Sequence, residues 1–143
     1  LQDAEALVFY LINLAAPPRQ GNADDPTVRR GERVFSEIGC TSCHLPTLEG
    51  PTGQVHLYSD LLLHEILPVG APGIASGSAS MREFRTSPLW GISDTGPYLH
   101  SGEADTLEEA ISLHDGEGAA ARDAFLGLNP AELTDLIAFL DSL

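Results

Sequence analysis

The chain has 143 residues, including 10 prolines and 14 glycines, and a formal charge of −14 set against seven arginines and no lysine. That length suits one domain with its own core, and so acidic a surface makes nucleic acid and anionic membranes poor partners, so no nucleic acid and no membrane insertion are expected. The longest apolar run, Leu7 to Ala16, falls short of the roughly 20 residues of a membrane span, and no cationic leader precedes it.

Residues 2–15 read as an amphipathic helix, with Ala4, Leu7, Val8, Leu11, Ile12 and Ala15 on one face. Pro17-Pro18 stops it, and residues 19–25 are polar and turn-rich. The chain opens on Leu1, as expected of a mature, trimmed or partial polypeptide, so residues 1–18 form either this domain's own first helix or the end of an upstream segment. A second helix starts at Asp25-Pro26, with Asp as N-cap and Pro at the first helical position. Val28, Val34, Phe35 and Ile38 supply its apolar side, and Gly39 ends it.

Next comes Cys40-Thr41-Ser42-Cys43-His44, which contains both cysteines of the chain. Cys-x-x-Cys-His is the attachment signature of a c-type haem. Each thiol adds to one vinyl group of the porphyrin, and the adjacent histidine is carried under the iron as its proximal ligand. A dithiol redox pair needs alternating strands and helices, and this chain shows few strand patterns. A zinc site needs a second ligand pair at short spacing, and His56 and His64 lie too far apart for that. A disulfide across two residues is strained. Cys40, Cys43 and His44 are therefore expected to hold one covalent haem c, with His44 bound to its iron. Such attachment takes place outside the cytoplasm, so a periplasmic or extracellular location follows. With no lysine, docking through a lysine ring is excluded, and an electrostatic redox partner has to present a basic patch.

Residues 45–55 carry Pro46, Gly50, Pro51 and Gly53 and read as a loop, one of whose carbonyls is expected to accept the Nδ1 proton of His44. Leu57 to Leu67 is apolar and fits either a short helix or an extended stretch, and residues 68–80 form a Gly- and Ser-rich surface loop. Two capping boxes follow, Thr106 with Glu109 and Asn129 with Glu132. The first opens a helix with Leu107, Ala110, Ile111 and His114 on one face, and the second opens a helix lined by Leu133, Leu136, Ile137 and Leu140. Residues 118–127 form another helix between them. The expected fold is all-α, a mono-haem cytochrome c domain over residues 26–143 with long loops around the porphyrin.

The iron has a sixth position to fill. The candidates are His114, on the apolar face of a capped helix, Met81, in a polar and flexible setting, and the remaining histidines His56, His64 and His100.

Residues from about 29 to the end resemble the C-terminal haem domain of the bacterial di-haem cytochrome c peroxidase superfamily, and most of all its branch of di-haem thiol oxidoreductases. The likeness is carried by the haem motif, Tyr58 to His64, Glu83 to Gly91, Gly96 to Gly102 and Thr106 to Ile111. In that family the distal ligand follows the Thr-Leu-Glu-Glu helix start and is a Met or a Tyr. The matching position here is His114, so the resemblance implies bis-histidine ligation. It also puts His100 and Arg85 near the haem. Two departures stand out: His100-Ser101-Gly102 replaces the usual His-Asp-Gly, and the chain has one haem motif where the enzymes use two haems. The expected function is accordingly electron transfer through one six-coordinate haem. The alternatives are the electron-relay domain of a di-haem peroxidase or thiol oxidoreductase, and a haem subunit of a larger complex. Peroxidase activity would need a second haem, in an upstream domain or a partner chain.

Overall fold

The computed structural model describes residues 2–51 and 53–143. Five α-helices run in order: α1 (Gln2–Ile12), α2 (Pro26–Glu37), α3 (Leu107–Ser112), α4 (Ala119–Leu126) and α5 (Pro130–Leu140). Between α2 and α3 lie four three-residue strands, β1 (Leu48–Gly50), β2 (Gly53–Val55), β3 (Leu63–Glu65) and β4 (Glu83–Arg85). They form two antiparallel pairs, with Leu48 opposite Val55 and His64 opposite Phe84. The all-α expectation is therefore wrong: this is a helical domain with two small antiparallel sheets. The extended segments are too short for a period-2 pattern, and β3 finds β4 across a long loop, a pairing that no local signal reveals.

The helix starts follow the capping chemistry. Asp25 accepts the Thr27 N–H, and both expected capping boxes form. The core is the packing of α2 on α5. Gly31 lets the helices close, since a Cβ there would fall on the Asp135 carbonyl oxygen. Arg30 reaches across with Nε and Nη2 to both oxygens of Asp135, at 2.7 and 2.8 Å. Phe35, Leu136, Phe139 and Leu140 are buried at this contact, each contributing roughly 1.5–3 kcal/mol of transfer free energy. The C-terminal residues are tied in as well: the Gln20 N–H donates to the Ser142 carbonyl, and the Gly91 N–H to that of Leu143.

Other expectations shift. The first helix ends at Ile12, short of the proline pair, where the Asn13 side chain caps the Phe9 carbonyl at 2.8 Å. Its apolar residues stay largely exposed: α1 has no buried residue, and Phe9 and Ile12 are 68% and 74% exposed. Leu57 to Leu67 holds no helix; it is irregular chain, with Tyr58 and Leu61 at positive φ, around the short strand β3. Helix α3 stops at Ser112, so His114 lies in the turn beyond it.

Candidate haem site

Gly39, at φ +91°, turns the chain out of α2 into a single 3-10 turn, Cys40–Ser42. Glycine suits this left-handed position because a Cβ would be strained there. The His44 N–H donates to the Cys40 carbonyl at 2.9 Å, so the motif closes on itself and carries the imidazole directly after the second thiol. Phe35, from α2, lies beside the imidazole with ring centroids 6.2 Å apart.

The Nδ1–H of His44 donates to the carbonyl of Tyr58 at 2.9 Å. The expected acceptor within residues 45–55 is thus wrong. The chain returns antiparallel after the β1–β2 hairpin, Ser59 N–H donating to Leu45 and Asp60 N–H to Cys43. His114 makes the equivalent bond, Nδ1 to the Ala110 carbonyl at 2.8 Å, one turn back in α3. A ring that donates from Nδ1 to a carbonyl keeps the lone pair of Nε2 free. Burial pushes the pKa of both imidazoles down, which holds them neutral. Gly118 packs against the His114 ring, where a Cβ would come within 3.3 Å of Cδ2.

Cys40, Cys43, His44 and His114 all line one cavity of about 600 Å³, whose walls are otherwise largely apolar, with Leu107, Ile111, Leu136 and Leu140 among them. That volume is typical of a cofactor site. Two thiols on one turn, two imidazoles with free Nε2 atoms and an apolar cavity between them fit a haem. They do not fit a redox dithiol, because burial raises the Cys40 thiol to about 11 and raises Cys43 as well; reactive thiols are depressed instead. Nor do they fit a zinc site built on Cys40, Cys43, His56 and His64. Among the described residues, the one group with metal-ligand spacing is Cys43, Asp60 and His64, which omits Cys40.

The other sixth-ligand candidates lie elsewhere. Met81 is 53% exposed and does not line the cavity. His56 is exposed, and both ring nitrogens of His64 are bonded to carboxylates. His100 and Arg85 do line the cavity; the His100 ring packs on Phe84, and its Nε2 donates to the Pro72 carbonyl at 2.6 Å. Arg122, which sequence reasoning missed, also lines it and donates from Nη1 to the His114 carbonyl at 2.9 Å. Its position in an otherwise alanine-rich helix was the available signal.

Residues 2–143 match the model of a family described as di-haem oxidoreductase. Among curated proteins, the chain is 38% identical over 142 residues to the cytochrome-c peroxidase IdrP2 of Pseudomonas sp. strain SCT, covering 78% of this chain and 38% of that protein. It is 29% identical over 127 residues to the cytochrome c551 peroxidase of Pseudomonas aeruginosa, covering 83% and 34%. The chain thus spans about a third to two fifths of the length of these relatives. Among solved structures, it resembles the hydrazine synthase of Kuenenia stuttgartiensis, with TM-score 0.69, 25% identity, and 97% of this chain and 54% of that one covered. A MauG-like protein associated with microbial copper homeostasis shares the fold, with TM-score 0.52 and 23% identity over 82% of this chain and 46% of that one.

Proposed function

Because the chain belongs to the di-haem oxidoreductase family, with haem c as its cofactor, we propose that it is an electron-relay haem domain, bound through Cys40, Cys43, His44 and His114. The observation that carries this reading is the pair of buried imidazoles on one cavity, each with Nδ1 tied to a carbonyl and Nε2 free. Bound haem supplies a one-electron ferric/ferrous couple. Cys40 and Cys43 would hold the porphyrin through thioethers. His44 and His114 would hold the iron, which would leave no site at the metal for a substrate. Their carbonyl partners hold each ring in one tautomer and raise its basicity. The apolar walls exclude water, and imidazole in place of methionine keeps the potential low.

One covalent haem per chain is the count that a single Cys-x-x-Cys-His supports. A peroxidase or thiol oxidoreductase reaction would take place at a second haem, with this domain passing electrons to it. The exposed apolar residues of α1 and the turn after it, seven large side chains between Leu7 and Leu14, favour a place within a larger assembly, in an upstream domain or a complex. The acidic surface suits a redox partner with a basic patch, whose association slows as salt rises. Covalent haem attachment puts the protein outside the cytoplasm; among the described residues no helix is long and apolar enough to cross a membrane.

Ferric near-infrared and electron paramagnetic resonance spectra of the holoprotein test the ligation. A low-spin bis-imidazole signature is expected. A His–Met charge-transfer band overturns the assignment of His114, and rapid peroxide turnover by the isolated chain overturns the relay role.

A further inference from the structure

A line of hydrogen bonds runs from the haem motif to the His114 segment. The Asp60 N–H donates to the Cys43 carbonyl at 2.8 Å. His64 donates from Nε2 to Asp60 Oδ2 at 2.8 Å and from Nδ1 to Glu117 Oε2 at 2.9 Å. The second Glu117 oxygen accepts the Glu65 N–H at 2.9 Å. Carboxylates only accept, so His64 makes both bonds as an imidazolium. The side chains of His64 and Asp60 are 15% and 8% exposed, which shields the pair from salt. Glu117 lines the same cavity as Cys43, His44 and His114.

The His114 segment needs such an anchor. Helix α3 has ended two residues earlier, and the His114 N–H makes only a single-turn bond to Ile111 at 3.1 Å. What fixes the segment is β3 and the chain just after it. The Asp115 N–H donates to the Ile66 carbonyl at 2.7 Å, and Gly116, at φ +53°, lies so close to the Glu65 carbonyl that a Cβ would fall on its oxygen. From the other side, Arg122 Nη1 donates to the His114 carbonyl and to Asp115 Oδ1.

We propose that Asp60, His64 and Glu117 are positioning residues, a charged strap that holds the His114 segment against the Cys-x-x-Cys-His turn and keeps the His114 ring in reach of a metal bound at His44. This rests on the bis-histidine reading above. A cut strap leaves the His114 turn with its bonds back to Ala110 and Ile111, the Arg122 bonds and two backbone contacts to residues 65–66, and the ring would then yield the metal to an added ligand.

The test uses holoprotein carrying His64→Gln and, separately, Glu117→Gln, which keeps side-chain volume and an acceptor for Glu65. The readouts are the ferric spin state, carbon monoxide binding to the reduced protein, and the thermal midpoint. Wild type is expected to be low-spin and slow to bind carbon monoxide. Both variants are expected to gain a high-spin fraction and to bind roughly tenfold faster, the scale seen when a partner of a metal ligand is lost. Arg30→Ala, which breaks the α2–α5 ion pair, is expected to lower the thermal midpoint without changing carbon monoxide binding. Wild-type spin state and binding in both strap variants overturn the strap, as does an equal gain in Arg30→Ala. A wild-type spectrum that is already high-spin or His–Met overturns the ligation reading itself, and the strap with it.

Discussion

His44 donates its Nδ1 proton across 2.9 Å to the carbonyl of Tyr58, a residue that sits at φ +51° to present it. The left-handed conformation costs a side chain like tyrosine roughly 1–2 kcal/mol. It is held there by the antiparallel return of residues 58–60 along residues 43–46 and by the edge contacts of its ring with Phe35 and Phe139. Its hydroxyl donates to Glu32 Oε1 at 2.8 Å. Tyr58→Phe removes that bond and keeps the carbonyl. The expected outcome is a loss of about 1 kcal/mol in chemical denaturation, with the haem absorption spectrum unchanged.

Gly31 is the point of closest approach between α2 and α5. An added Cβ would meet the Asp135 backbone and lie 2.6 Å from the Phe139 Cβ, neither of which is a flexible side-chain end. Gly31→Ala is therefore expected to destabilise the domain by about 3 kcal/mol, despite the better helix propensity of alanine. Thermal unfolding of the holoprotein measures it.

The hydrogen bonds from Arg30 hold the Asp135 carboxyl below its ordinary range, against the opposing effect of burial. A depressed carboxylate contributes stability that is present above its unfolded pKa and is lost as pH falls through the folded value. Wild type is expected to be more stable than Asp135→Asn at neutral pH, and the gap is expected to close below about pH 4. Thermal midpoints of the two proteins between pH 7 and pH 2.5 check the sign.

His114→Met places a thioether where the second imidazole is proposed to bind. The midpoint potential is expected to rise, because thioether sulfur favours the ferrous state, and a His–Met charge-transfer band is expected in the near infrared. Met81 lies outside the cavity, so Met81→Leu is expected to leave both potential and spectrum as in wild type. Redox titration of the two variants separates the candidates.

Much of the site is legible in the sequence because its signals are local. The cysteines and His44 sit on one turn by their spacing, and the capping chemistry of Thr106 and Asn129 marks where α3 and α5 begin. The phase of α3 carries His114 to the cavity even though the helix ends before it. What the sequence hides is contact between distant segments. The β3–β4 pair, the Tyr58 carbonyl behind His44 and the line from Asp60 through His64 to Glu117 all join residues whose local sequence says nothing of a partner. The solvent exposure of α1 is hidden too, since an apolar stripe looks the same whether or not a partner covers it. The sequence by itself determined the Cys40–His44 turn and the haem attachment proposed for it, because thiol and imidazole spacing is a property of one turn. Only the tertiary structure decided which side chains face that turn, because each backbone carbonyl and carboxylate has to find its donor across the cavity once the chain has closed around it.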